Sequence, residues 1–305
     1  MKPLLSICCT TFNHEKFLEK TLEGFLAQQT NFSFEIVIHD DASTDRTVEI
    51  IQEYAKKDSR IVSILQTENQ YSQNIKIWPN YLFPKAQGKY IALCEGDDYW
   101  TDPLKLQKQV DFLEVNPDYV ISWTNYQIFN GKSYSSNNFN HQEANTTIDY
   151  DNLFSPYCTL TLTTVFKKEA LNLELLKSLK HSKDNSLYIL VLQNGKGVFM
   201  DFESAVYRVH EAGVYSLQSN FFKNYSSYIN LKEVTDVAPE SKSRNMNKVL
   251  KSLEEATATE VLKLKYTGEK LSEVQVDFIA TYLKSADFKT KIKYYKKLFK
   301  YKFLK

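Results

Sequence analysis

The chain has 305 residues, of which 43% are hydrophobic and 25% charged, enough for one sizeable core with an extension and a composition expected of a soluble protein. A formal net charge of +1 excludes a global electrostatic pull toward nucleic acid or acidic partners. The balance is uneven, however: residues 288–305 hold eight lysines and no acid, leaving −7 on the remainder.

Residues 4–10 form a short apolar run that reads as a buried strand, too short for a secretory leader and leading straight into polar Thr10 and Thr11. Residues 15–28 place Phe17, Leu18, Leu22, Phe25 and Leu26 at helical spacing. Residues 34–39 read as a second buried strand. The helix after it holds Val48, Ile51 and Tyr54, with Ser43 as its expected N-cap. Residues 61–65 give a third strand, 75–84 a helix broken at Pro79, and 89–93 a fourth buried strand. A helix is predicted from Pro103 to Glu114, ended by Asn116-Pro117, and a fifth strand begins at Tyr119.

Five alternations with near-continuous apolar strands imply an α/β fold, a mostly parallel sheet covered on both faces. Beyond residue 124 the pattern loosens. Residues 130–147 read as a polar loop, 159–166 as β-rich, 183–193 as a helix, 198–210 as strand, turn, strand, and 221 onward as helical. The four cysteines form no CxxC pair and are expected to be buried, reduced thiols of a cytosolic protein. No segment approaches the roughly 20 apolar residues of a membrane span.

Ligands of such sheets bind at the carboxyl ends of the strands. That rule brings together residues 10–13, Asp40-Asp41 and Glu95-Gly96-Asp97-Asp98. Adjacent carboxylates after a glycine turn suit Mg²⁺ or Mn²⁺, which in turn hold phosphate oxygens. The division read here puts Asp98 on the metal and Asp97 on a ribose or a metal-bound water. Asp41 is placed to accept from a base N–H or a ribose hydroxyl, and Phe12 to stack on a base beside Thr10. Taken singly, each stretch is also explained by an acidic turn or a helix cap.

Together the stretches SICCTTFNHEKFLEKTLEGFLAQQ, EIVIHDDASTDRTVEII and GKYIALCEGDDYWTDPLKLQKQ resemble the family 2 glycosyltransferases of GT-A fold, over about residues 3–125. The resemblance implies a Rossmann-like sheet, a nucleotide-sugar donor (a UDP-sugar above all), a divalent metal and an inverting transfer. Carried over, it makes Thr10, Phe12, Asn13 and Asp41 nucleotide contacts, Asp97 a ribose or diphosphate contact and Asp98 the metal ligand. The acid pair is EGDD rather than a spaced D-x-D, which bears on how Asp97 and Asp98 share those roles.

An inverting transfer needs a carboxylate to take the acceptor's proton. HSKDNSLYILVLQNGKGVFMDFESAVYRVHEAGVYS resembles the family's base-bearing helix followed by a hairpin, and maps the base to Asp184, with His181 as a second candidate. A helix N-terminus lowers a carboxylate pKa and burial raises it. In some relatives a late histidine completes the metal shell or touches the diphosphate, a role that would fall to His210. Arg208 is placed to pair with a phosphate or an acid.

The expected organisation is a glycosyltransferase domain at 1–218, with a nucleotide-sugar half at 1–125 and an acceptor half at 126–218, followed by a helical extension at 219–305. In 288–305 the residues Ile292, Tyr295, Phe299 and Phe303 share one helix face flanked by lysines. That pattern suits an anionic membrane surface, and nothing else in the chain supports nucleic acid. The acceptor expected of the resembled family is a saccharide or lipid-linked saccharide, which would explain such a tail on a cytoplasmic protein peripheral to the inner face of the plasma membrane. Two other readings differ in class. A sugar nucleotidyltransferase would need a Gly-rich loop after the first strand, whereas residues 4–20 contain no glycine. A binding domain without turnover would not need Asp184 beside Asp41, Asp97 and Asp98.

Overall fold

The computed structural model describes residues 2–136, 145–154, 158–210 and 218–302. Its first half is strand β1 (Leu5–Thr11), helix α1 (Leu18–Leu26), β2 (Phe34–Asp40), α2 (Thr47–Lys57), β3 (Ile61–Leu65) and β4 (Tyr90–Glu95). A π-helical turn, Trp78–Leu82, runs into the single turn α3 (Phe83–Lys85), the helix expected to break at Pro79. A two-residue strand β5 (Tyr99–Trp100), α4 (Lys105–Val115) and the long β6 (Tyr119–Phe129) follow. The second half contributes β7 (Tyr134–Ser136), β8 (Asn145–Ile148), β9 (Val165–Lys167), α5 (Leu173–Ser178), α6 (Asp184–Leu192) and β10 (Lys196–Arg208). Four helices close the chain: α7 (Asn220–Val237), α8 (Arg244–Thr267), α9 (Glu273–Ser285) and α10 (Phe288–Lys302).

The strands form one mixed sheet in the order β3-β2-β1-β4-β9-β6-β10-β5, with β7 on β6 and β8 on β10. The β3-β2-β1-β4 block is parallel, as is β6-β10, while β9 sits antiparallel between β4 and β6. Side chains alternate across the sheet as a two-residue period requires. Cys8, Val37 and Leu93 face one apolar layer with Trp123, Phe166 and α6. Ile7, Cys9, Ile36, Ile38 and Ala92 face the other, with Leu22, Phe25, Ile51 and Val110 of the covering helices. All four cysteines are buried and free. A third cluster joins Phe221, Val261, Phe278, Tyr282 and Tyr294 in the closing helices. Helix α7 packs both ways, since its Leu231 and Val234 belong to the first layer.

Three local readings differ from the structure. Residues 198–210 are not a hairpin: β10 runs unbroken to Arg208, with register shifts against β6 at Met200/Glu203 and Glu203/Ala205. Bulges there absorb the polar stretch around Asp201 and Glu203 that reads as a turn. The predicted β-run at 159–166 begins as a tight turn, because Thr163 and Thr164 each donate a hydroxyl hydrogen bond of 2.9 Å to the Leu160 carbonyl. Ser43 does not cap α2. The N-cap position falls on Arg46, which makes no side-chain cap, and Asp45 just before it braces the first turn, its Oδ1 accepting from the Thr47 N–H at 3.0 Å and the Thr47 hydroxyl at 2.5 Å. Of the loop expected at 130–147, the ends form β7 and β8, and 137–144 lie outside the described residues.

Candidate functional site

The site is built where β1, β2 and β4 end side by side, at Thr11, Asp40 and Glu95. Thr11 Oγ1 donates to Asp40 Oδ1 at 2.9 Å, and the same oxygen accepts from Ser43 Oγ at 2.6 Å. Asp40, with no exposed surface, is therefore a structural tie between two loops. Asn13 repeats the tie, its N–H donating to Ser43 Oγ and its Oδ1 accepting from the Thr44 N–H, both at 2.8 Å. Asn13 and Ala42 hold positive φ angles of 56° and 63°. For alanine that backbone costs about 1 kcal/mol or more, strain of the kind that gathers at ligand sites. Thr10 is half-buried, and Phe12 stands 42% exposed on the rim.

Asp41 is buried, and its two oxygens accept from the Gln70 and Tyr71 N–H groups at 2.8 and 3.0 Å. Each carboxylate oxygen keeps a further lone pair. The loop at 69–74 is thus hung from the expected base contact, and His39 beneath it meets the Tyr81 ring at 4.9 Å.

Gly96 lets β4 turn sharply, since a Cβ there would lie 2.6 Å from Thr11 Cγ2 and 2.9 Å from His14 Nδ1. The turn sends its two acids in different directions. Asp98 points inward, is 3% exposed, and accepts the Arg208 N–H through Oδ1 at 2.8 Å. Burial, then the charges of Asp97 and Glu95, push its carboxyl well above the usual range. Asp97 points toward two imidazoles, with Oδ2 at 3.1 Å from His210 Nε2 and 3.7 Å from His14 Nε2. Burial opposes its charge, but the His210 hydrogen bond and both imidazoles outweigh it and hold the carboxyl below the usual range. The Phe17 ring lies 4.5 Å from that of His210. Arg208 Nη1 donates to the Asp97 carbonyl at 2.8 Å, and its guanidinium lies 4.3 Å from the Tyr99 ring centre. Arg208 thus holds the acid turn from the far end of β10.

Asp184 opens α6, and its Oδ1 accepts the Asn185 N–H at 2.9 Å. Of the two opposing influences at a helix start, burial prevails over that bond and over Lys183, so its carboxyl is raised. Glu95 is pushed up to about 8, first by burial, then by Asp97, with Asp184 adding to it. Tyr188, one helical turn on, meets Thr164 Oγ1 at 3.2 Å. His181, three residues before Asp184, is tied to α7, its backbone N–H donating to Glu233 at 2.8 Å.

Four further residues stand at the site without a sequence motif to mark them: His14, Tyr99, Glu95 as a titrating group, and Thr21, whose hydroxyl lies 2.5 Å from the Asp98 carbonyl. His14 had one signal: it follows Asn13, whose positive φ turns the chain back over the acid pair. Asp97 and the two imidazoles bring oxygen and nitrogen donors side by side, the carboxylate oxygen suiting Mg²⁺ or Mn²⁺ and the imidazoles the later divalent metals. His14 and His210 each keep a buried Nδ1 without a protein partner. Among the described residues no three His, Cys, Asp or Glu groups complete a cation site by themselves.

Comparison with known proteins places this edge in a family. Residues 6–170 match the family described as Glycosyl transferase family 2. An uncharacterized protein of Mycobacterium tuberculosis is 43% identical over 119 residues, 38% of this chain and 33% of that one, so the chain spans about a third of that relative's length. The putative teichuronic acid biosynthesis glycosyltransferase TuaG of Bacillus subtilis is 28% identical over 64% of this chain and 74% of its own. WfaP of Escherichia coli, a UDP-Glc:alpha-D-GlcNAc-diphosphoundecaprenol beta-1,3-glucosyltransferase, is 37% identical over 41% of this chain and 47% of its own.

Among solved structures, Staphylococcus aureus TarS 1-349 in complex with UDP-GlcNAc superposes with a TM-score of 0.62 at 17% identity, over 92% of this chain and 79% of that one. The mannosyltransferase PcManGT of Pyrobaculum calidifontis, in complex with GDP-Man and Mn²⁺, gives 0.59 at 14%, over the same shares. At these identities the likeness is one of fold, the GT-A type expected from the sequence. Because the family match takes in more than half of the chain, the protein belongs to glycosyl transferase family 2.

Proposed function

We propose that the protein moves a sugar from a nucleotide-sugar, a UDP-sugar, to a hydroxyl of a saccharide or lipid-linked saccharide, with a divalent cation (Mn²⁺ or Mg²⁺) and inversion at the anomeric carbon. One observation carries the reading: Thr10 to His14, Asp41, Glu95 to Asp98, and Arg208 to His210 gather at one sheet edge from the ends of four separate strands. The UDP-GlcNAc complex of TarS and the UDP-Glc and lipid-diphosphate substrates in the name of WfaP support the donor and the acceptor.

In this reading Thr10 and Phe12 line the base and Asp41 accepts its N–H, while Asn13 keeps the two loops locked behind it. Asp97 and His210 hold the cation, with His14 alongside. The family pattern puts the cation on Asp98, but burial and the Arg208 N–H favour Asp97 for that role and leave Asp98 to fix the turn. The cation, when bound, neutralises diphosphate charge and so stabilises the leaving group. Asp184 takes the proton of the acceptor hydroxyl, and burial makes it a stronger base than an ordinary carboxylate.

Calorimetric titration of UDP with and without Mn²⁺ tests the assignment. Asp97→Ala is expected to lose at least about tenfold in Mn²⁺-dependent UDP affinity. Asp98→Asn keeps an acceptor for the Arg208 N–H and is expected to retain that affinity. The opposite pattern would return the cation to Asp98, and no Mn²⁺-dependent UDP binding in the parent protein would remove the reading itself.

A further inference from the structure

The closing helix presents a surface that sugar transfer does not use. Helix α10 (Phe288–Lys302) packs one side on its neighbours: Tyr294 is buried with its ring 6.1 Å from that of Tyr282, Lys293 Nζ pairs with Glu255 at 3.0 Å, and Lys297 Nζ reaches Thr259 Oγ1 at 3.3 Å. The opposite side carries Phe288, Ile292, Tyr295 and Phe299, which are 79%, 38%, 55% and 63% exposed. At about 100° per residue these four fall within roughly 60° of arc. Lys289 and Lys296 flank the strip on one side and Lys291 on the other. Phe303, expected on the same strip, lies outside the described residues.

A row of large apolar side chains left in water marks an interaction surface rather than a solvated face. Its chemistry selects the partner. With eight lysines and no acid in 288–305, a second copy of this segment would be repelled. A lipid surface with anionic headgroups takes both features at once: aromatic and aliphatic groups enter the headgroup boundary while the flanking lysines meet the charge. No described helix is long and apolar enough to cross a membrane, so such contact would lie in the interface plane.

We propose that α10 docks the protein on an anionic membrane surface through Phe288, Ile292 and Tyr295, with Lys289, Lys291 and Lys296 as the charged flanks. The contact deepens the lipid-linked acceptor reading by bringing the enzyme to the surface where such an acceptor resides.

The test is co-sedimentation of the full chain with phosphatidylcholine vesicles containing none or 30% phosphatidylglycerol, at low and high salt, without donor sugar. Binding is expected to the anionic vesicles only and to weaken with salt. Each lysine near the surface contributes about fivefold, so a Lys289→Glu/Lys291→Glu/Lys296→Glu variant is expected to lose at least roughly a hundredfold in partitioning. Phe288→Ser/Ile292→Ser/Tyr295→Ser is expected to lose binding while keeping the parent's melting temperature, since these side chains are exposed. Equal binding to neutral vesicles, full binding by the triple-charge variant, or a dimer in solution that these substitutions dissolve would overturn the proposal. Because no sugar transfer is read, failure here and failure of the enzymatic reading are separable.

Discussion

Replacing Asp184 by Asn separates catalysis from architecture. The side chain keeps its shape and can still accept the Asn185 N–H, so α6 should start where it does now. What goes is the proton acceptor of the proposed mechanism, and general base catalysis supplies about 10²–10⁴-fold, or roughly 3–5 kcal/mol of barrier. The stability effect should have the opposite sign. Burial raises the folded-state pKa of Asp184 above its unfolded value, so the folded state holds this proton more tightly. The ionised group therefore costs stability, a cost that grows as pH rises through the interval between the two values and is complete above it. An amide escapes that cost, so Asp184→Asn should melt at or above the parent temperature. UDP release from donor and acceptor, measured from pH 5 to 9, reads both sides of the argument. The parent should show an acidic limb in kcat displaced above the ordinary carboxylate range, and the variant a loss of at least a hundredfold with KM for donor little changed. A loss under about tenfold, or a large loss with a fall in melting temperature of several degrees, would refute the role of Asp184 as the base.

Other consequences follow from particular contacts. Lys105 is wholly buried, bonded to Gln109 Oε1 at 2.6 Å, and its pKa is pushed down to about 7 by burial. Its folded pKa lies below the unfolded value near 10.4, so the unfolded chain binds more protons between pH 7 and 10 and stability rises with pH across that range. Lys105→Met should stabilise by about 1–3 kcal/mol at pH 7 in urea unfolding, a gain that vanishes toward pH 10. Gly96→Ala would press on the side chains of Thr11 and His14, which can yield, so activity with Mn²⁺ should fall several-fold with a modest change in melting temperature. Gly88→Ala would instead bring a Cβ within 2.5 Å of the Ser6 backbone nitrogen, and should cost more than about 3 kcal/mol of stability.

Much of the sheet edge was legible because β1, β2 and β4 are near-continuous apolar runs, and the carboxyl ends of such strands converge. Strand β10 was misread because Asp201 and Glu203 interrupt its alternation, and only pairing with β6 shows that bulges carry the strand through. The antiparallel insertion of β9 rests on three residues, Val165–Lys167, too few to carry a pattern. Asp97 and Asp98 are neighbours in a turn, and what orients them is Arg208 and His210, more than 100 residues away, so no local signal divides their roles. Asp184 came from resemblance alone, since an acid at a helix start is ordinary capping chemistry. Ser43 was mistaken for a cap because the side chain that claims it, Asp40, belongs to the preceding strand and faces the site.

The central claim is that this edge binds and cleaves a nucleotide-sugar. Release of free nucleoside diphosphate from a panel of UDP- and GDP-sugars, with Mn²⁺ or with chelator and with saccharide and lipid-linked acceptors, tests it most directly. The account predicts Mn²⁺-dependent release from at least one UDP-sugar, abolished in Asp97→Ala. Release that ignores chelator and survives Asp97→Ala, or none from any donor in a folded protein, would contradict it.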